Sequence, residues 1–63
     1  MEKWELHMKG MNSVIPYTKE TFNQLTEFCK EMIEQGTDNL YEIKYYPEKG
    51  EVETNEILDY FGS

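Results

Sequence analysis

Phe22, Leu25, Cys29, Met32 and Ile33 recur at three- and four-residue spacing, and in a chain of 63 residues that stripe constrains the fold more than any other feature. Residues spaced this way share one face of an α-helix, so the segment buries a stripe, joined by Phe28, against another element. Thr18 fits the N-cap, where its hydroxyl can accept from an otherwise unpaired backbone N–H. Tyr17 before it can pack on Phe22 as a hydrophobic staple, and Glu20 suits the positive end of the helix dipole. Gly36 offers the left-handed stop. The pattern predicts about eighteen helical residues, ~27 Å long, enough to cover a small sheet.

That sheet is legible on both sides of the helix. KWELHMK (residues 3–9) alternates, with Trp4, Leu6 and Met8 on one side and Glu5, His7 and Lys9 on the other; this predicts a half-buried strand ending at Gly10. MNSVIPY (residues 11–17) is expected to be an irregular approach, with Val14 and Ile15 tucked toward the core and Pro16 favouring an extended residue before it. LYEIKYY (residues 40–46) places Tyr41, Ile43 and Tyr45 on one face and Leu40, Glu42, Lys44 and Tyr46 on the other. Pro47-Glu48-Lys49-Gly50 has turn chemistry. EVET (residues 51–54) predicts a short strand with Val52 inward and Glu51 and Glu53 outward. Asn55 then caps a short helix in EILDYF, where Ile57, Leu58 and Phe61 lie within one turn; a third strand extension is the competing reading. Gly62 and Ser63 close the sequence, native or left from cloning.

The expected fold is therefore a single α+β domain over residues 1–63, ordered β-α-β-β. A three-stranded sheet carries one long helix on one face, and a short helical segment ends the chain. A right-handed crossover would make the first two strands parallel, and the hairpin would add the third antiparallel. A folded chain of this mass exposes roughly 4,300 Å² and buries about 60% of its extended surface, so a partner or second copy could contribute to stability. Apolar residues at 38% and aromatics at 14% separate it from disordered acidic chains.

Charge narrows the function. Thirteen acids oppose six lysines for a net charge of −7, and no arginine is present. Arginine is the usual bidentate reader of guanine and phosphate, so direct nucleic-acid binding is not expected. No basic segment followed by an apolar run opens the chain and no stretch reaches eighteen apolar residues, so the expectation is a cytoplasmic protein without a membrane span.

The search for chemistry returns little. Cys29 is the lone cysteine, on the apolar side of the helix pattern, which excludes an intrachain disulfide and predicts a buried thiol. His7 is the lone histidine, on the polar side of the first strand, with no sequence-near ligand for a metal site. Neither Ser13 nor Cys29 stands in an acid–base pattern, the glycines are too scattered for a phosphate loop, and PEKGEVE lacks the alternating ligands of a calcium loop. No enzyme activity, cofactor or metal is expected.

What remains is surface. Glu27, Glu31 and Glu34 lie opposite the apolar stripe of the helix; Glu51, Glu53, Glu56 and Asp59 crowd the C-terminal third; Leu40, Tyr46 and Tyr60 are the apolar and aromatic residues expected to face outward. Together these ten are the candidate partner-binding residues. The first reading is a non-enzymatic acidic protein-binding module: an inhibitor or regulator docking on a basic, nucleic-acid-binding partner, a role suited to a phage or mobile-element product. Its sharpest form is a nucleic-acid mimic whose carboxylates imitate phosphates. A second is a small homodimer or accessory subunit that completes its core through the exposed sheet face. A third is a fragmentary enzyme subunit or a small-molecule module.

Overall fold

The computed structural model describes residues 1–61; Gly62 and Ser63, and with them the question of their origin, lie outside the described residues. Four strands form one antiparallel sheet: β1 (Lys3–Met8), β2 (Val14–Thr18), β3 (Tyr41–Tyr46) and β4 (Glu53–Glu56), in the order β2-β1-β3-β4. Helix α1 (Phe22–Gln35) connects β2 to β3, and a short helix α2 (Ile57–Phe61) follows β4 directly. The accessible surface, 4568 Å², is close to the ~4,300 Å² that size scaling gives.

The fourth strand is the main correction to the sequence reading. Residues 14–18 pair with β1 through Leu6↔Ile15 and Trp4↔Tyr17 instead of forming an irregular approach. Proline breaks the strand signal because it cannot donate to a ladder, yet an edge strand tolerates it, and β2 is an edge. Its insertion also changes the strand directions. The chain doubles back from β1 into β2, then crosses by α1 to β3 on the far side of β1, as in a split β-α-β unit. β1 and β3 are consequently antiparallel, not parallel.

Helix α1 begins later than the N-cap chemistry suggested. Thr18 ends β2, and its backbone N–H donates to Thr21 Oγ1 at 2.7 Å, so the tight turn at residues 18–21 takes over the role expected of a cap. Tyr17 is accordingly a buried strand residue, not a staple. The C-terminus follows expectation: Gly36 has φ 76°, its N–H donates to Ile33 O, and Thr37 N–H donates to Met32 O at 2.9 Å. This is a Schellman closure, which satisfies carbonyls that would otherwise end the helix unpaired.

β4 starts two residues later than the alternation in EVET implies. Glu53 faces Tyr45 and Asn55 faces Ile43, so Asn55 is a strand residue instead of a cap, and Val52 is 49% exposed in the turn. Within α2, Ile57 is fully buried while Leu58 points to solvent; Tyr60 and Phe61 pack on the core in its place. The spacing i, i+3, i+4 explains this, because Ile57, Tyr60 and Phe61 share a helix face and Leu58 does not.

The core lies between one sheet face and the two helices. Trp4, Leu6, Tyr17 and Ile43 come from the sheet, Leu25, Cys29 and Met32 from α1, and Ile57 from α2. No buried side-chain polar atom among the described residues lacks a hydrogen-bond partner.

Candidate functional site

Three surfaces could serve a partner: the solvent side of α1, the outer face of the sheet, and an apolar groove where α1 fails to cover the sheet. The ten sequence candidates are spread over them and elsewhere.

On α1 the expectation holds locally. Glu27, Glu31 and Glu34 are all exposed, and at i, i+4, i+7 they make one row on the side away from Leu25, Cys29 and Met32. None of the three pairs with a cation among the described residues. The Glu27–Glu31 juxtaposition is of like charge and costs a few tenths of a kcal/mol.

The outer sheet face is built differently. The ladder register puts Lys3, Glu5, His7, Glu42, Lys44, Tyr46 and Glu56 on it, opposite to α1. Glu5 is its hub: Tyr46 Oη donates to Glu5 Oε1 at 2.8 Å, His7 Nε2 lies 3.0 Å from the same oxygen, and Lys3 Nζ is 3.4 Å from the other. Burial pushes the Glu5 carboxyl up, but the hydrogen bonds from Tyr46, His7 and Lys3 outweigh it and hold its pKa below the usual 4.5. Lys3 also sits 5.1 Å from the centre of the Tyr46 ring. Tyr46 is thus a half-buried, hydrogen-bonded member of a polar face and not a free aromatic anchor. Leu40 is 51% exposed, but it belongs to the 3₁₀ turn Asp38–Leu40 before β3, about 20 Å of strand away from Tyr46. The two do not form the apolar patch that a face-to-face second copy would need.

The remaining candidates scatter. Glu51 lies in the β3–β4 turn and Glu53 at the start of the β4 edge, both exposed. Glu56, at the other end of β4, accepts from Lys9 Nζ at 2.7 and 2.6 Å through its two oxygens. Asp59 is exposed on α2. Tyr60 is a correction. It faces inward, and its hydroxyl accepts the Trp4 indole N–H at 2.6 Å. Trp4 in turn stacks on Tyr45 at 5.1 Å and meets Phe22 at 4.7 Å, while Phe61 closes the cluster 6.0 Å from Phe22.

The groove was not anticipated. It lies at the opposite end of the same sheet face, with Leu6, Met8 and Tyr41 as its floor and Ile15, Met11, Ser13 and Phe28 around its rim; its volume is about 290 Å³. Ile15, Met11 and Phe28 are 46%, 61% and 38% exposed. Phe28 meets Tyr41 edge-on at 6.5 Å. One signal was present in the sequence: Phe28 stands off the main stripe of the helix, and an aromatic there is half in and half out. The other half of the groove comes from Ile15 and was hidden with β2.

Burial pushes the Cys29 thiol up to about 11, so it is protonated and inert at neutral pH. Among the described residues no group of three or more His, Cys, Asp or Glu is placed to hold a metal ion, and no helix is long and apolar enough to cross a membrane. Comparison of the chain with protein-family profiles, with curated proteins and with solved structures finds no match.

Proposed function

We propose that this protein is a non-enzymatic binding module that docks on a basic protein surface through the solvent face of α1. The observation that carries the reading is the unpaired row of Glu27, Glu31 and Glu34 on a helix clamped to the sheet by its opposite side. A row held on a rigid element keeps its charges at set intervals, whereas the same residues on a loop would lose entropy on binding. The chain's net charge of −7 supports rapid encounter with a cationic partner. A nucleic-acid-binding protein is the natural class of partner, since its groove is already built for regularly spaced anions, and occupying that groove would make this module an inhibitor or regulator.

The test is affinity capture from nuclease-treated lysate of the source organism, with wild type and the triple variant E27K/E31K/E34K as baits. The expected result is a basic protein retained by wild type without nucleic acid, lost from the variant and released by moderate salt. A partner held equally by both baits would move the site off α1 and end this reading. All three residues are exposed, so the variant is expected to fold; its far-ultraviolet circular dichroism checks that.

A further inference from the structure

We infer that the groove between α1 and the β1–β2 hairpin seats one or two large apolar side chains of a basic amphipathic segment in the partner, with the lysines or arginines of that segment reaching the glutamates of α1. The inference rests on the reading above and adds to it the anchor that charge alone does not supply.

The geometry links the two surfaces. Phe28 forms the helix wall of the groove, and Glu31, three residues on, is about 60° round the helix from it. Their Cβ atoms are therefore ~5–6 Å apart, and Glu27 and Glu34 continue the acidic row along the axis. Rim and row are parts of one helix surface, so a single segment can contact both. Acidic groups close to an apolar slot call for an occupant with apolar residues and cations at short spacing. No lysine lines the groove, Lys9 on the adjacent hairpin is held by both oxygens of Glu56, and Lys30, on α1 one turn from Glu27 and Glu34, forms no ion pair with them.

The lining agrees with a peptide occupant. Met8 and Met11 supply flexible, polarisable thioethers that repack around different side chains, and Phe28 and Tyr41 give rigid aromatic area. Ser13 is the one lining residue with a short polar side chain, too little to orient a small polar molecule. At about 290 Å³ the space falls just below the ~300–1,000 Å³ range of small-molecule sites, and it fits anchoring side chains better than a cofactor. An anionic lipid surface is disfavoured by the net charge. A second copy is disfavoured too, because burying two such grooves against each other would bring two acidic rows together.

Strand addition is the obvious rival mode, and both sheet edges are poor templates for it. β2 carries Pro16, which has no N–H, and β4 is four residues long with a glutamate at each end.

The experiment selects peptides from a random display library on the immobilised protein, then measures their affinity for wild type, Ile15→Ser, Phe28→Ser and the triple variant E27K/E31K/E34K. In parallel, methyl-¹³C methionine labelling reports where they bind. Of the four methionines, Met8 and Met11 line the groove, whereas Met32 is buried in the core and Met1 is 90% exposed outside it, so two signals report and two serve as controls. The expected result is enrichment of peptides combining Leu, Phe or Trp with Lys or Arg. Their affinity should fall at least tenfold in either groove variant and in the triple variant, and only Met8 and Met11 should shift.

Each other outcome counts against the inference. Basic peptides that bind the groove variants normally and leave Met8 and Met11 unmoved overturn it while the acidic-face reading stands. Groove-dependent peptides without basic residues, indifferent to the triple variant, overturn both. Movement of Met8 and Met11 with protein concentration alone assigns the groove to a second copy. A selection that enriches nothing overturns the groove as a peptide site.

Discussion

The two ends of the helix-side sheet face are finished differently. At the end built on Trp4 and Tyr45, α2 folds over the sheet and adds Tyr60 and Phe61, so that aromatic rings and one indole hydrogen bond close the core. At the end built on Met8 and Tyr41, α2 packs on the 3₁₀ turn and on β3 and β4 rather than on the β1–β2 hairpin, and Ile15, Met11 and Phe28 stay partly in water. The same alternating strands run through both ends. Coverage distinguishes them, and coverage depends on where the chain goes after β4. One end thus buries its apolar area in the core, and the other leaves part of it exposed.

The sharpest way to break this comparison is a pair of truncations. Trp4→Ala at the closed end should cost about 3–5 kcal/mol, as much as a single core in so small a domain supplies. The expected outcome is loss of cooperative unfolding by circular dichroism in urea. Phe28→Ala at the open end should cost about 1 kcal/mol or less, because its ring is already 38% exposed. Equal effects would mean that the two ends are equally important to the fold.

Tyr60→Phe sharpens the comparison at the level of one bond. It keeps the ring and removes the acceptor for the Trp4 N–H, leaving a part-buried donor unpaired. A loss of about 1–3 kcal/mol is expected, read as a lower urea midpoint with an unchanged slope. Unchanged stability would show that water satisfies the indole, and that α2 seals this end less tightly than the packing implies.

The smallest effect lies on the outer face of the sheet. Glu5 has its carboxyl held below the usual 4.5, so its contribution is fully present above that value and is lost as the pH falls through the lower folded-state pKa. Glu5→Gln should lower stability by about 1 kcal/mol or less at pH 7, since the site is partly solvated. It should also flatten the acid limb of the stability profile below pH 4.5. An unaltered acid limb would show that the Tyr46–Glu5–His7 contacts contribute nothing to folding.

Three elements were legible in the sequence because their residues carry their own local signals. The stripe from Phe22 to Ile33 and the glycine after it define α1, and the alternations around Leu6 and Ile43 define β1 and β3, since period and burial follow from backbone geometry. The acidic row was legible for the same reason: three glutamates at helical spacing share a face wherever the helix sits. What tertiary structure alone decided is which surfaces remain uncovered. β2 carries a proline and buries only Tyr17, so it is a strand only by virtue of pairing with β1, and no local pattern reports a neighbour. Tyr60 faces inward because Trp4 waits for its hydroxyl across 56 positions of sequence. The groove exists because α2 packs over β3 and β4 rather than over the β1–β2 hairpin. These are long-range outcomes, determined by where independently formed elements meet, and the apolar groove belongs among them.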